Sequence, residues 1–480
     1  MTNELQTTPE QEAALEAIAE GRPLAVNARA GSGKTWLLVE AANRNRLHGT
    51  AVAFNKKNAT DLQTRMPSSM RCKTLHSTGM NNLRAMGVKL QVNKKKNWEL
   101  LEQVEGSGED GIADASFVKA IGQFKSGMYP TDMMHAGQAL ALASNTEPSD
   151  EEVERLLEAI KMGNQWLKNG VIDFDDMLYG PWLMGTPWQK QRLVMVDEAQ
   201  DLNPIQHWMY GQMLATDKFR QPIVIGDPYQ AIYGWRGAVS GSMGSLVKAH
   251  GLEQTALTVS FRCPEAVAEY VRQWVGDFNA MPSAPEGEVA WRQSWRLDDI
   301  GPQDAVICRV NAPLIRVALR MLMERRPFNL MGGEALTGVV GMMRKHKRML
   351  PKAFAKVVQE WYDKTMVWYR AKGVNASRIE DMKEVLDLFC EQTEFGSVAD
   401  MLATLQKLQR SGAGPTLCSG HKSKGAEWDT VWHLDSERIE EFADRAERKD
   451  EEHQEWNIAY VISTRAKRRL LHVRLDELED

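Results

Sequence analysis

The sequence predicts an α/β protein built on doubly wound parallel sheets. Apolar, strand-like runs such as "PLAVNA" and "TAVAFN" alternate with helical stretches, which is the grammar of parallel sheets. Two later runs, "RLVMVDEAQD" and "QPIVIGDPYQ", are rich in β-formers and end in carboxylates. A second set of such elements starts near "ALTVSFRCPEAVAEYV" and continues through "DAVICRVNA" and "GPTLCSGHKSKGAEW". Open parallel sheets bind ligands at the C-terminal edges of their strands, where these carboxylates fall.

The size and composition fit this class. A chain of 480 residues exceeds one ordinary core and predicts about three packing units, possibly interleaved. Hydrophobic residues at 43% and charged residues at 26% argue against disorder as the main state. The net charge of -5 supplies no global field for nucleic acid, which leaves that partner to local basic patches. Cys72, Cys263, Cys308, Cys390 and Cys418 form no CxxC pair, against both a zinc site and a secreted disulfide framework. The N-terminus carries acids in place of a signal-peptide core, and no stretch reaches the roughly 18 apolar residues of a membrane span. A cytoplasmic location with no membrane partner is expected.

In chain order, "TTPEQEAALEAIAEG" reads as a short helix, capped by Thr7 or Thr8, with Pro9 at a first helical position and Gly21 as its stop. A buried strand, a glycine turn and the helix "WLLVEAANRNRL" follow. A second strand, "TAVAFN", leads to the helical "KKNATDLQTRM" and to a third short strand entering "CKTLHSTG". Residues 91–170 turn helical and polar, as do residues 336–410, and both read as insertions. The lysine run at 94–96 and "MRKHKR" at 343–348 read as solvated faces, although basic patches on insertions could hold duplex phosphates. The expected division is therefore 1–90 with 171–250, interrupted by 91–170, and 251–335 with 411–480, interrupted by 336–410.

Between the first strand and its helix stands "NARAGSGKTW". A glycine turn before a helix closes backbone N–H groups around a phosphate, and the helix dipole adds a favourable field. Ala28, Arg29, Ala30, Gly31, Ser32 and Gly33 form this loop. Lys34 is placed to reach β and γ phosphates, and Thr35 to offer a hydroxyl to Mg²⁺. A glycine turn with an incidental lysine would look the same locally; "VMVDEAQD" favours the phosphate. Asp197, at a strand end, suits the same Mg²⁺, and Glu198 suits polarisation of an attacking water. A DE pair is more commonly an exposed turn, but the apolar "LVMV" before it makes exposure of the segment improbable. Positive charge for the transition state could come from Arg262 in "SFRCPE" or Arg465 in "VISTRAKRRL", and either could equally be a surface arginine.

With these pieces in order, the chain resembles superfamily 1 DNA helicases of the UvrD/Rep kind over nearly its whole length. "TPEQEAAL", "ARAGSGKT", "AFNKKNA", "KTLHS", "DFDDML", "VDEAQDLNPIQ", "IGDPYQAIYGWRGA", "VSFRCP", "VICRVNA", "GHKSKGAEW" and "AYVISTRA" follow the family's motif order. The resemblance implies two RecA-like domains, with ATP in the cleft between them and single-stranded DNA across their top. It implies adenine contacts from Gln11 and Phe261, the latter where the family more often has Tyr. It further implies a γ-phosphate sensor in Gln230, arginine fingers in Arg262 and Arg465, and a ribose contact in Glu427. For DNA it implies Phe54, Asn55, Thr74, His76, Tyr233, Trp235, Arg236, His421 and Lys424. Aromatic stacking on bases is worth about 1–3 kcal/mol each and is independent of sequence.

The chain departs from that pattern at Arg29, where a small residue is common, and at Trp36, where an arginine often follows the threonine. Ala28 is what the family usually has. The insertion at 336–410 is short for the family, and no nuclease or partner-binding tail is expected. The resulting expectation is an ATP- and Mg²⁺-dependent helicase or translocase on single-stranded DNA and single-strand/duplex junctions. It would run 3′ to 5′ and serve repair or replication, with protein partners in DNA metabolism. Two alternatives stay open: a translocase that removes proteins from DNA with little unwinding, and a slow nucleotide-dependent DNA-binding switch.

Overall fold

The computed structural model describes residues 7–104, 111–144, 148–232, 241–332, 336–371, 376–408, 412–446 and 449–479. The chain divides into two compact units, Met1–Thr258 and Val259–Asp480.

In the first unit, the strands are β1 Leu24–Ala28, β2 Gly49–Val52, β3 Met70–Lys73, β4 Gln91–Val92, β5 Val171–Ile172, β6 Leu193–Val196, β7 Gln221–Gly226 and β8 Glu253–Leu257. Six of them form one parallel sheet in the order β3-β2-β6-β7-β1-β8. The central strands β6 and β7 are buried along their whole length, as expected where helices cover both faces of a parallel sheet. The helix Pro9–Ala19 starts where the sequence places it. Thr8 and Gln11 form a reciprocal capping box, with Pro9 in the first turn.

The small parallel pair β4–β5 joins the two ends of a helical stretch comprising Lys96–Gln103, Gly111–Gly127, Met133–Ser144 and Asp150–Lys168. This stretch has its own apolar core, built around Leu100, Phe124, Leu140 and Leu156. Lys96, expected on a solvated face with its neighbours, is 0% exposed. Its ammonium donates to Gly163 O at 2.8 Å, Val171 O at 3.0 Å and Asp176 Oδ2 at 2.6 Å. Three acceptors offset the desolvation that a lone buried cation would suffer. Lys94 and Lys95 are exposed, as are Arg344, Lys345, Lys347 and Arg348 in the second basic run.

The second unit contains β9 Val259–Ser260, β10 Asn279–Ala280, β11 Glu288–Trp291, β12 Ala305–Cys308, β13 Asn329–Met331, β14 Thr416–Ser419, β15 Trp428–Leu434 and β16 Ala466–Val473. Its six-stranded parallel sheet runs β11-β16-β15-β12-β14-β13. The helices Thr337–Lys345, Pro351–Ala371, Ser377–Glu391 and Val398–Leu408 share one core with this sheet, since Val339, Phe354, Phe389 and Leu405 cluster with Val306, Leu417 and Trp432. The second helical stretch thus packs onto its sheet, unlike the first, which has a core of its own.

The expected boundary at 250/251 moves to 258/259. Glu253–Leu257 pairs with β1 in register Leu24↔Glu253 and completes the first sheet. A strand's own residues specify its pleat and not its sheet, so this membership is decided by the neighbour it bonds. Two parallel, helix-covered sheets are the fold class the sequence predicts.

Candidate nucleotide and nucleic-acid site

The phosphate-loop residues leave β1 at its C-terminal edge. Gly31 (φ 74°) and Gly33 (φ 86°) adopt the left-handed conformation that costs a non-glycine residue about 1–2 kcal/mol. The helix Lys34–Arg44 follows with Gly33 as its N-cap, with no side-chain cap and no acid in its first turn. The helices Pro9–Ala19 and Pro204–Met213 instead carry full capping boxes. Uncapped N–H groups at a helix start suit an anion, and this end fits a phosphate chain. Gln11 is buried; its Nε2 donates to Ser32 O at 3.1 Å and its Oε1 accepts from Thr8 N at 3.1 Å. The residue to which the resemblance gives an adenine contact therefore also braces the loop from beneath.

Both departures from the family pattern are absorbed locally. Arg29 is buried, with its guanidinium 4.9 Å from the centre of the Tyr229 ring, an attractive cation–π arrangement. Trp36 packs half-buried against the core that holds Leu37 and Leu38.

The acidic pair lies at the end of β6, beyond β7 from β1 in the sheet order. Thr35 Oγ1 donates to Asp197 Oδ2 at 2.9 Å, and Glu198 N donates to Asp197 Oδ1 at 2.9 Å. Burial, and then the charge of Glu198, push the Asp197 carboxyl up to about 6, against the pull of Lys34. A hydroxyl beside a buried carboxylate whose ionisation is opposed is an oxygen donor set that fits a hard divalent cation. Glu198 sits at φ 55°, ψ 42°, and non-glycine residues in this region cluster at functional sites.

Beyond Gln230, the ends of β6 and β7 bring in Gln200 and Asp227, to which the sequence assigned no role. Gln230 Nε2 donates to Asp227 Oδ2 at 2.7 Å, while Gln200 joins Glu198 to the backbone of Asp227. All but Glu198 are buried. "DEAQD" contains Gln200 in plain view, but nothing local tells which carboxylate a glutamine two residues on will meet.

The candidate DNA residues of this unit follow β2 and β3, along the same sheet edge but away from β1. Phe54 and His76 are half-buried and Asn55 is exposed; burial holds the His76 imidazole below its ordinary pKa. Asn55 caps the helix Lys56–Arg65 by accepting from Asn58 N, and Thr74 forms a capping box with Ser77, so both polar side chains are engaged with helix termini. Tyr233, Trp235 and Arg236 lie outside the described residues. Phe174 in "DFDDML" was also passed over. It is 51% exposed beside Asp173 and Asp176, which are buried and paired with Lys125 at 2.9 Å each.

In the second unit, Arg262 Nε donates to Glu427 Oε2 at 2.6 Å, and its Nη1 donates to Thr464 O at 3.2 Å. Arg465 adjoins them, but fully buried. Its guanidinium donates to Val461 O, Ala426 O and Thr464 Oγ1. In this structure Arg465, to which the resemblance gives an arginine-finger role, ties together the end of the helix Lys449–Ser463 and the approach to β15, which both present carbonyls. Arg262 and Glu427 are the more accessible pair, and Phe261 is 39% exposed. His421 and Lys424, both half-buried, stand after β14, on the connection that ends at Glu427.

Comparison with known proteins gives the family. The UvrD/REP helicase N-terminal domain matches residues 7–250. The chain is 23% identical to F-box DNA helicase protein 1 of Schizosaccharomyces pombe, over 97% of its own length and 57% of that protein. It is 24% identical to F-box DNA helicase 1 of Gallus gallus, over 98% and 49% of the two lengths. With ATP-dependent DNA helicase Rep of Escherichia coli the figures are 28% identity over 49% and 38%. The chain thus spans less than two thirds of each of these relatives, and it belongs to the family of UvrD-like, superfamily 1 helicases.

Proposed function

We propose that the chain is an ATP-dependent motor on DNA, a helicase or translocase that couples hydrolysis to movement along single-stranded DNA. The observation that carries this is the Thr35–Asp197 contact of 2.9 Å. It brings the phosphate loop beside the acidic pair on the edge that also carries Phe54 and His76. Lys34 and the loop N–H groups hold the β and γ phosphates, Glu198 orients the attacking water, and Gln230 senses the γ phosphate. Thr35 and Asp197 would hold Mg²⁺, which would supply neutralisation of phosphate charge when bound. Arg262 and Arg465 are the proposed sources of transition-state charge, Gln11 and Phe261 of adenine contacts, and Glu427 of the ribose contact. The track is gripped by Phe54, Asn55, Thr74, His76, Tyr233, Trp235, Arg236, His421 and Lys424. Movement is 3′ to 5′, as the resemblance implies, from single-strand/duplex junctions.

The test is the rate of ATP hydrolysis with and without single-stranded DNA. Stimulation in the wild type, and its loss in Lys34→Ala, are expected. Absence of stimulation overturns the motor reading, and full hydrolysis by Lys34→Ala overturns the site. Displacement of a strand from substrates with a 3′ or a 5′ overhang tests polarity. Displacement of a bound protein without unwinding would mark a translocase that clears DNA.

A further inference from the structure

We propose that Gln200 is a positioning residue that fixes the Glu198 carboxylate and ties it to the turn bearing Gln230. This rests on the function proposed above. Gln200 Nε2 donates to Glu198 Oε2 at 2.6 Å, and Gln200 Oε1 accepts from Asp227 N at 3.0 Å. Asp227 Oδ2 in turn accepts from Gln230 Nε2 at 2.7 Å. The proposed water-orienting group and the proposed γ-phosphate sensor are thereby joined through one amide side chain, that of Gln200, and through Asp227.

The chemistry admits few other residues at this position. An ionised carboxylate only accepts and a backbone N–H only donates, so the group between them must present a donor and an acceptor together. A flipped amide would set oxygen against carboxylate and N–H against N–H, so the network fixes its orientation. Glutamate would repel Glu198, and methionine would fill the space without either bond. Gln200 is 2% exposed, and a buried network of this kind gains strength only when every member is satisfied.

The approach is built into the backbone as well. A Cβ on Gly226 would lie 2.4 Å from Gln200 Oε1 and 3.0 Å from Gln200 N, so glycine at the end of β7 is what lets Gln200 sit there. Glu198 occupies the left-handed region, a backbone state that persists when its surroundings over-determine it, and the amide of Gln200 is one such restraint. In sequence, the turn Pro228–Gln230 runs directly toward Tyr233, Trp235 and Arg236, the residues proposed to grip DNA. A shift of that turn therefore reaches Glu198 through Gln200.

The experiment is steady-state ATP hydrolysis with saturating single-stranded DNA, using the wild type, Gln200→Met, Glu198→Gln and the double variant. Gln200→Met is expected to lower kcat by about 10- to 100-fold, part of what a positioned general base contributes. The KM for ATP stays within about threefold, since the phosphate loop is untouched. In the Glu198→Gln background, Gln200→Met is expected to add nothing, because residues that act as one unit are non-additive. Gly226→Ala, which displaces Gln200 by steric contact, is expected to give the same split of kcat from KM. Undiminished kcat in Gln200→Met overturns the inference, as do equal, multiplicative losses in both backgrounds. A wild type without DNA-stimulated hydrolysis overturns instead the motor function on which it rests.

Discussion

Lys96 donates to Asp176 at 2.6 Å with side chains 0% and 1% exposed. The pair closes the base of the first helical stretch, where Lys96 also holds the carbonyls of Gly163 and Val171. Removing Lys96 leaves Asp176 paired with Lys125 at 2.9 Å but takes the donor from the carbonyls of Gly163 and Val171, and a buried polar group left unsatisfied costs about 1–3 kcal/mol. Lys96→Met is expected to destabilise the first unit by that amount in urea unfolding. The exposed neighbour substitution Lys95→Ala is expected to stay within about 0.5 kcal/mol. Equal effects of the two would show that burial of Lys96 is not what matters.

Gly33 is committed twice, by φ 86° and by the 3.0 Å that would separate a Cβ from Gln11 Nε2. Gly33→Ala is expected to raise the KM for ATP at least tenfold, on the order of 1–2 kcal/mol of backbone strain directed into the phosphate loop.

Arg262 and Glu427 are bonded at 2.6 Å, yet their expected roles differ. A transition-state arginine is worth about 10³-fold or more in rate, so Arg262→Ala is expected to lower kcat on that scale, with nucleotide binding retained. Glu427→Ala is expected to act mainly on the KM for ATP. Single-turnover hydrolysis separates the two, and matching effects would make the pair a structural salt bridge.

His472 and His433 are directly opposed across β15 and β16, both buried, with His472 stacked on Trp291 at 4.6 Å. Burial lowers His472 to about 4 and holds His433 well below its ordinary value. Folded values below the unfolded value of about 6.5 mean that this contribution is complete above pH 6.5 and is lost as pH falls toward 4. For His472 the loss reaches roughly 1 kcal/mol by about pH 5.5. His472→Phe keeps the stacked ring and removes the titration, so a flatter dependence of thermal unfolding on pH is expected between about pH 7 and 5. An unchanged slope would place the acid sensitivity elsewhere.

Sequence alone determined those features whose cause is local. The left-handed glycines of the phosphate loop, the apolar run that drives Asp197 and Glu198 to a buried strand end, and the capped helix at Pro9 all follow from neighbouring residues. The alternation of strand and helix likewise fixes a parallel sheet and hence the edge on which ligands gather. Only the tertiary structure decided that Lys96 is buried while Lys94 and Lys95 are solvated, that Glu253–Leu257 joins the first sheet, and that Gln200 meets both Glu198 and Asp227. It also decided that Arg465 bonds carbonyls of its own unit. Each of these depends on a partner that the chain's local pattern does not name. Burial, strand membership and amide pairing are set by what the fold brings alongside, and the desolvation of a charge or a polar group makes that neighbour decisive.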